Sequence, residues 1–89
     1  MSQNDTIYVD AIIASTLELG KALVGWPNPA NSAHEAFAIL LEEVDELKEQ
    51  VWVNQKRRDL GKMRAEAIQV AAMAIRFAAE VCTEERGRR

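Results

Sequence analysis

Residues 63–82, MRAEAIQVAAMAIRFAAEVC, read as a helix with more apolar faces than an 89-residue chain can easily cover. Alanine, the best helix former, recurs through the segment. One narrow polar line interrupts it: Glu66, Gln69, Arg76 and Glu80, with Met73 among them. Positions three and four apart share one side of a helix. A helix apolar on its remaining sides is buried by several neighbours. Yet a chain this short buries only roughly 60–65% of the surface its unfolded form exposes. An internal disulfide is excluded, because Cys82 is the single cysteine. A metal, a partner chain, or both must make up the difference.

Two further helices are legible. Residues 5–24 place Ile7, Ala11, Ala14, Leu17 and Leu23 at helical spacings, with no alternation that would suggest a strand. GWPNPANS then forbids continuation through Gly25, Pro27 and Pro29. SAHE, residues 32–35, is a capping-box pattern: Ser32 accepts from the Glu35 N–H while Glu35 reaches back to the Ser32 N–H. The second helix therefore starts near Ala33 and is expected to run to about Asn54. Phe37, Leu40, Leu41, Val44, Leu47 and Val51 form its apolar stripe. The fold class is all-α: a single domain over 1–89 with three helices, the second and third forming an antiparallel hairpin. Two copies would complete a four-helix bundle, and the basic tail 84–89 is expected to be disordered.

Charge narrows the function classes. The formal net charge is -3, with acids clustered between Glu35 and Glu49 and bases from Lys56 to Arg64. A nucleic-acid binder would present a broader basic field, so that partner is disfavoured. No apolar run approaches the roughly 20 residues that span a bilayer, and MSQNDT has no signal-peptide character. The expectation is a soluble, cytoplasmic protein.

The acidic stripe LLEEVDELKEQVW, residues 40–52, is the feature that carries chemistry. Its carboxylates lie opposite Leu40, Val44 and Val51, as a solvated face would. Ile39 and Val53 nevertheless fall within the same arc, and Glu43, Glu46 and Glu49 recur at intervals of three. Residues three apart have Cβ atoms about 5–6 Å apart, close enough to share a hard cation. Glu43 and Glu49 stand about 9 Å apart along the axis, so ligands from another helix, or a second ion, are needed. A hairpin turn centred between Arg57 and Arg58 would put Glu49 level with Glu66, and Glu46 level with Gln69. An all-oxygen, carboxylate-rich site favours Mg²⁺ or Mn²⁺ over zinc, and magnesium commonly binds beside substrate phosphates.

Glu42, Glu43 and Glu46 of EEVDE, followed by Glu66 nineteen residues after Glu46, resemble the MazG-like all-α nucleoside triphosphate pyrophosphohydrolases. That family carries a Glu-Glu-x-x-Glu helix followed by a Glu-x-x-Asp helix, and the likeness covers about residues 32–80. The resemblance implies Mg²⁺-dependent cleavage of a nucleoside triphosphate to the monophosphate and pyrophosphate. It also implies a homodimer or homotetramer, and makes Glu43, Glu46 and Glu66 metal ligands, with Glu49 where some relatives place another. One position departs: Gln69 stands where the pattern has Asp. Its amide oxygen can coordinate Mg²⁺ but brings no negative charge, so either Glu42, Glu49 or Glu80 compensates or catalysis is weakened or gone.

On this reading Glu46 or Glu49 orients the attacking water or accepts its proton. Arg76 either meets a phosphate or pairs with Glu80, and Lys62 belongs to a basic turn that either helps hold the polyanion or only solubilises the chain. Trp26, Trp52, Phe37 and His34 are the flat rings available to a base; Trp52, directly after the acidic stripe, either stacks a nucleobase or packs in the core or an interface. The alternative from another class is a catalytically silent α-helical dimer that binds nucleotides or a protein, which Gln69 favours. A third is a purely structural bundle with solubilising acids.

Overall fold

The structure is a computed structural model and describes residues 3–83 and residue 88. The expected disordered tail, apart from Arg88, lies outside the described residues. Three α-helices follow in order: α1 (Gln3–Gly25), α2 (Ala33–Val51) and α3 (Leu60–Glu80), with a 3-10 turn over Gln55–Arg57 before the last. No strand occurs among the described residues, and no helix is long and apolar enough to cross a membrane.

Local chemistry sets the boundaries. Ser32 caps α2, its hydroxyl accepting from the Glu35 N–H at 3.2 Å. The reciprocal half of the expected capping box is absent. The Glu35 carboxylate instead accepts from the backbone and side-chain nitrogens of Asn31, at 3.4 and 3.2 Å. α2 stops at Val51, short of Asn54, because the Arg58 guanidinium donates twice to the Val51 carbonyl, at 3.0 and 2.8 Å. This satisfies an orphan acceptor of the last turn. Asp59 caps α3 by accepting from the Lys62 N–H at 3.0 Å, which starts that helix three residues before Met63. Cys82 lies past the end of α3 and is exposed, while Val81 takes the buried position.

α3 is the middle helix. It packs along α2 as the expected hairpin and along α1 on another side, whereas α1 and α2 share no comparable contact. α1 turns a small-residue face inward: Ser15 is buried and Ala11, Ala14 and Ala22 are half-buried. The buried Ser15 hydroxyl is satisfied by donating to the Ala11 carbonyl at 2.8 Å. Ile7, Leu17 and Leu23 of the expected stripe are exposed, as are Tyr8, Ile12, Ile13 and Val24. α1, not α3, is therefore the helix left without cover on most of its apolar circumference.

Little is enclosed within one chain. Among the described residues only Ala72, Val81 and Ser15 are buried. The accessible surface is 6717 Å², against about 5,200 Å² for a compact monomer of 10.0 kDa. The radius of gyration is 14.7 Å, against about 12 Å for a compact domain of this length. Three rods laid side by side cannot wrap one another, and many large apolar side chains are left open to solvent.

Candidate functional site

The acidic face of α2 meets α3 near the turn-proximal end of the hairpin. The connection 52–59 centres about two residues earlier than expected, which shifts the level partners by about one helical turn. Glu66 therefore stands between Glu43 and Glu46, not opposite Glu49. One carboxylate oxygen from each of Glu43, Glu46 and Glu66 lies within 4.8 Å of the others. Glu43 and Glu66 are half-buried, and Glu46 is exposed.

Electrostatically the trio is under-compensated. Burial raises the Glu43 carboxyl above its ordinary value, and the charges of Glu46, Glu66 and Glu42 add to the rise. Burial likewise raises Glu66, with Glu46 and then Glu49 contributing. The Glu66 Oε2 atom is shut off from solvent and accepts no hydrogen bond. A desolvated carboxylate oxygen without a donor costs free energy unless a proton or cation meets it. Among the described residues, no lysine or arginine forms an ion pair with any of the three.

The donor set fits a hard divalent ion. Oxygens around an octahedral Mg²⁺ at 2.0–2.1 Å lie about 2.9 Å apart when adjacent and about 4.2 Å apart when opposite. The trio, within 4.8 Å, would have to close by up to roughly 2 Å between adjacent ligands, a movement that rotamer changes of long glutamates can supply.

Gln69 sits one turn beyond Glu66, and its Nε2 donates to Glu18 Oε1 of α1 at 2.5 Å. The amide is thus tied to a carboxylate that sequence reasoning left aside. A signal for Glu18 exists: Ala11, Ser15, Glu18 and Ala22 follow 4-3-4 spacing, which places the one acid on the face that meets α3.

A cleft of about 570 Å³ opens beside the trio, between the second half of α1, the α1–α2 connection, the start of α2 and the second half of α3. Glu43 belongs to both cleft and trio. Gln69, Arg76, Glu18 and the ring-bearing Trp26 also line it. Arg76 is heavily engaged: its Nε donates to both oxygens of Glu80, at 2.9 and 2.7 Å. Its Nη2 donates to the carbonyls of Trp26 and Asn28, at 2.5 and 3.0 Å.

The other expected site residues lie elsewhere. Glu49 is exposed and outside the trio. Trp52 caps the end of α2, with the Lys48 ammonium 5.7 Å from its ring centroid. Lys62 lies exposed in the first turn of α3. Neither Trp52 nor Lys62 lines the cleft. The aromatic residues that line the cleft are Trp26 and Phe77; Trp26 is one of the flat rings the sequence offers, and Trp52, the ring singled out there, is not at the cleft.

Against known proteins, the chain matches no family model, no curated protein and no solved structure.

Proposed function

We propose that this chain is a Mg²⁺-dependent nucleoside triphosphate pyrophosphohydrolase of the MazG-like kind, working as a homodimer or a doubled dimer. The observation that carries the reading is the occluded, unpartnered oxygen of Glu66 set against Glu43 and Glu46 at the edge of a cleft. Two partly desolvated carboxylates and an exposed third, with no basic ion-pair partner among the described residues, favour a cation, and an all-oxygen donor set favours Mg²⁺ or Mn²⁺. Glu43, Glu46 and Glu66 hold the ion, which supplies neutralising charge and Lewis acidity to a bound triphosphate.

The remaining roles belong to the chain itself. Glu46, the solvent-facing member of the trio, orients a water and accepts its proton, with Glu49 one turn further on as the other candidate. The water oxygen bonds to the α-phosphorus as the α–β bridging bond breaks, and pyrophosphate leaves with the bridging oxygen. The cleft has room for a nucleoside, and the exposed Trp26 ring offers a flat partner to a base. Trp52 and Lys62 would reach a substrate only from a neighbouring copy.

The surface of about 1,500 Å² in excess of a compact monomer supports the assembly. A standard interface buries roughly 800 Å² on each partner, and α1 offers Ile12, Leu23 and their neighbours for it.

The test is turnover. Incubating the protein with canonical and modified nucleoside triphosphates and Mg²⁺ should yield monophosphate and pyrophosphate, and Glu46→Gln should abolish this. Light scattering should give two or four times the 10.0 kDa chain mass; a monomer at all concentrations would remove the assembly from the proposal. A second reading, a silent nucleotide-binding dimer, draws on the Gln69–Glu18 bond, which occupies the amide standing where the pattern has Asp. Saturable Mg²⁺-dependent nucleotide binding without turnover would select it.

A further inference from the structure

The connection between α1 and α2 has few internal ties. Pro27 and Pro29 carry no N–H. Its backbone–backbone hydrogen bonds lie only at its ends, from Trp26 N to Ala22 O and from Ala36 N to Ser32 O. Trp26 is 76% exposed, so its ring is not fixed by packing. Whatever places that ring must act through its backbone.

Arg76 is the group that reaches it. Its side chain is only 12% exposed, and its guanidinium spans about 50 residues of sequence to the Trp26 and Asn28 carbonyls. Glu80 grips the Nε on the opposite side. The planar fork is thus oriented by one carboxylate and delivered to two carbonyls, a task that suits a rigid multi-donor group and not a point charge.

We propose that Arg76 is a positioning residue: held by Glu80, it pins the backbone of residues 26–28 to α3 and so fixes where Trp26 stands at the cleft. The consequence for turnover rests on the nucleotide reading above; the pinning does not. Arg76 on this account acts on a substrate through the connection and not by touching phosphate.

The test uses the full chain and three variants: Arg76→Lys, Arg76→Gln and Glu80→Gln. Backbone ¹⁵N order parameters at Trp26, Asn28 and Ala30 should fall from about 0.85 toward 0.6 in both Arg76 variants. Glu80→Gln, which leaves Arg76 in place, should move them part of the way and keeps the question open to decision if an Arg76 variant fails to fold. Mn²⁺ titration of the acidic trio should be unchanged in all three. With a nucleoside triphosphate that turns over, KM should rise about tenfold while kcat stays within about twofold, the mark of lost binding-site placement.

Order parameters that stay high in folded Arg76→Gln, or full rescue by Lys, overturn the pinning. A raised KM with an undisturbed connection also overturns it, because Arg76 would then be meeting the substrate itself. Absence of turnover in the unaltered protein sinks the hydrolase reading alone, and the order parameters still decide this one.

Discussion

The two ends of the polar line on α3 carry opposite kinds of charge problem. At Glu66 a carboxylate oxygen is buried beside two others and receives no donor. At Arg76, nearly three turns along the same helix, a guanidinium is surrounded by acceptors from its own helix and from the α1–α2 connection. A charge supplied with partners is part of the architecture. A charge left short of them at the edge of a cleft is a place where a ligand of the opposite sign contributes free energy that the protein does not. The same sequence pattern therefore marks a structural tie at one end and a candidate ligand site at the other.

Substitutions should separate the two ends. Glu66→Gln has the largest expected effect: Mg²⁺-dependent turnover should drop by about a thousandfold or more, since one ligand and its charge are lost together. In metal-free buffer the same variant should melt at or above the temperature of the parent, because a repelling charge has gone. A metal-free variant that melts well below the parent would break the contrast. Arg76→Gln should do the reverse, destabilising the metal-free chain by about 2 kcal/mol through loss of charge-assisted bonds. That corresponds to a fall of roughly 8–16 °C in melting temperature for a domain of this size.

Adding Mg²⁺ or Mn²⁺ at a hundred times its dissociation constant should stabilise the parent by about 2.7 kcal/mol. Differential scanning fluorimetry should show that gain vanish in Glu66→Gln and persist in Arg76→Gln. The smallest effect is that of pH. Glu43 and Glu66 have folded values raised above the ordinary 4.5. Their protonated forms are thus favoured in the folded chain, and this stabilisation is full below 4.5. It is lost as pH rises through the raised values. Metal-free melting temperature should decline over that window, and saturating Mg²⁺ should flatten the decline. A metal-free curve that rises there would show the trio to be compensated after all.

Much of this was legible in residue order, and what was not has identifiable causes. Helical spacing without alternation fixed the all-α class, and Ser32 announced the start of α2. The start of α3 was hidden because Asp59 lies in a polar run whose cap cannot be told from its neighbours. Misplacing that start moved the turn centre and so the level partners, which set Glu49 against Glu66 in place of Glu43 and Glu46. Spacing along α2 and α3 could bring acids to one height, but it could not show the bond from Gln69 to Glu18, 51 residues away. Long-range side-chain partners follow from how helices cross, and local periodicity carries no information about that. Trp26 is among the flat rings visible in the sequence, but nothing local ranks it above Trp52, because its place at the cleft follows from how the connection meets α3 through Arg76.

With only Ala72, Val81 and Ser15 enclosed among the described residues, folding and association would become a single equilibrium in the dimer proposed above. Dilution would then act as a denaturant, and the folded fraction would climb with the number of copies in the compartment. Such a chain would be self-limiting: at low synthesis it would be exposed to proteases before it met a mate, and past a threshold abundance it would accumulate steeply.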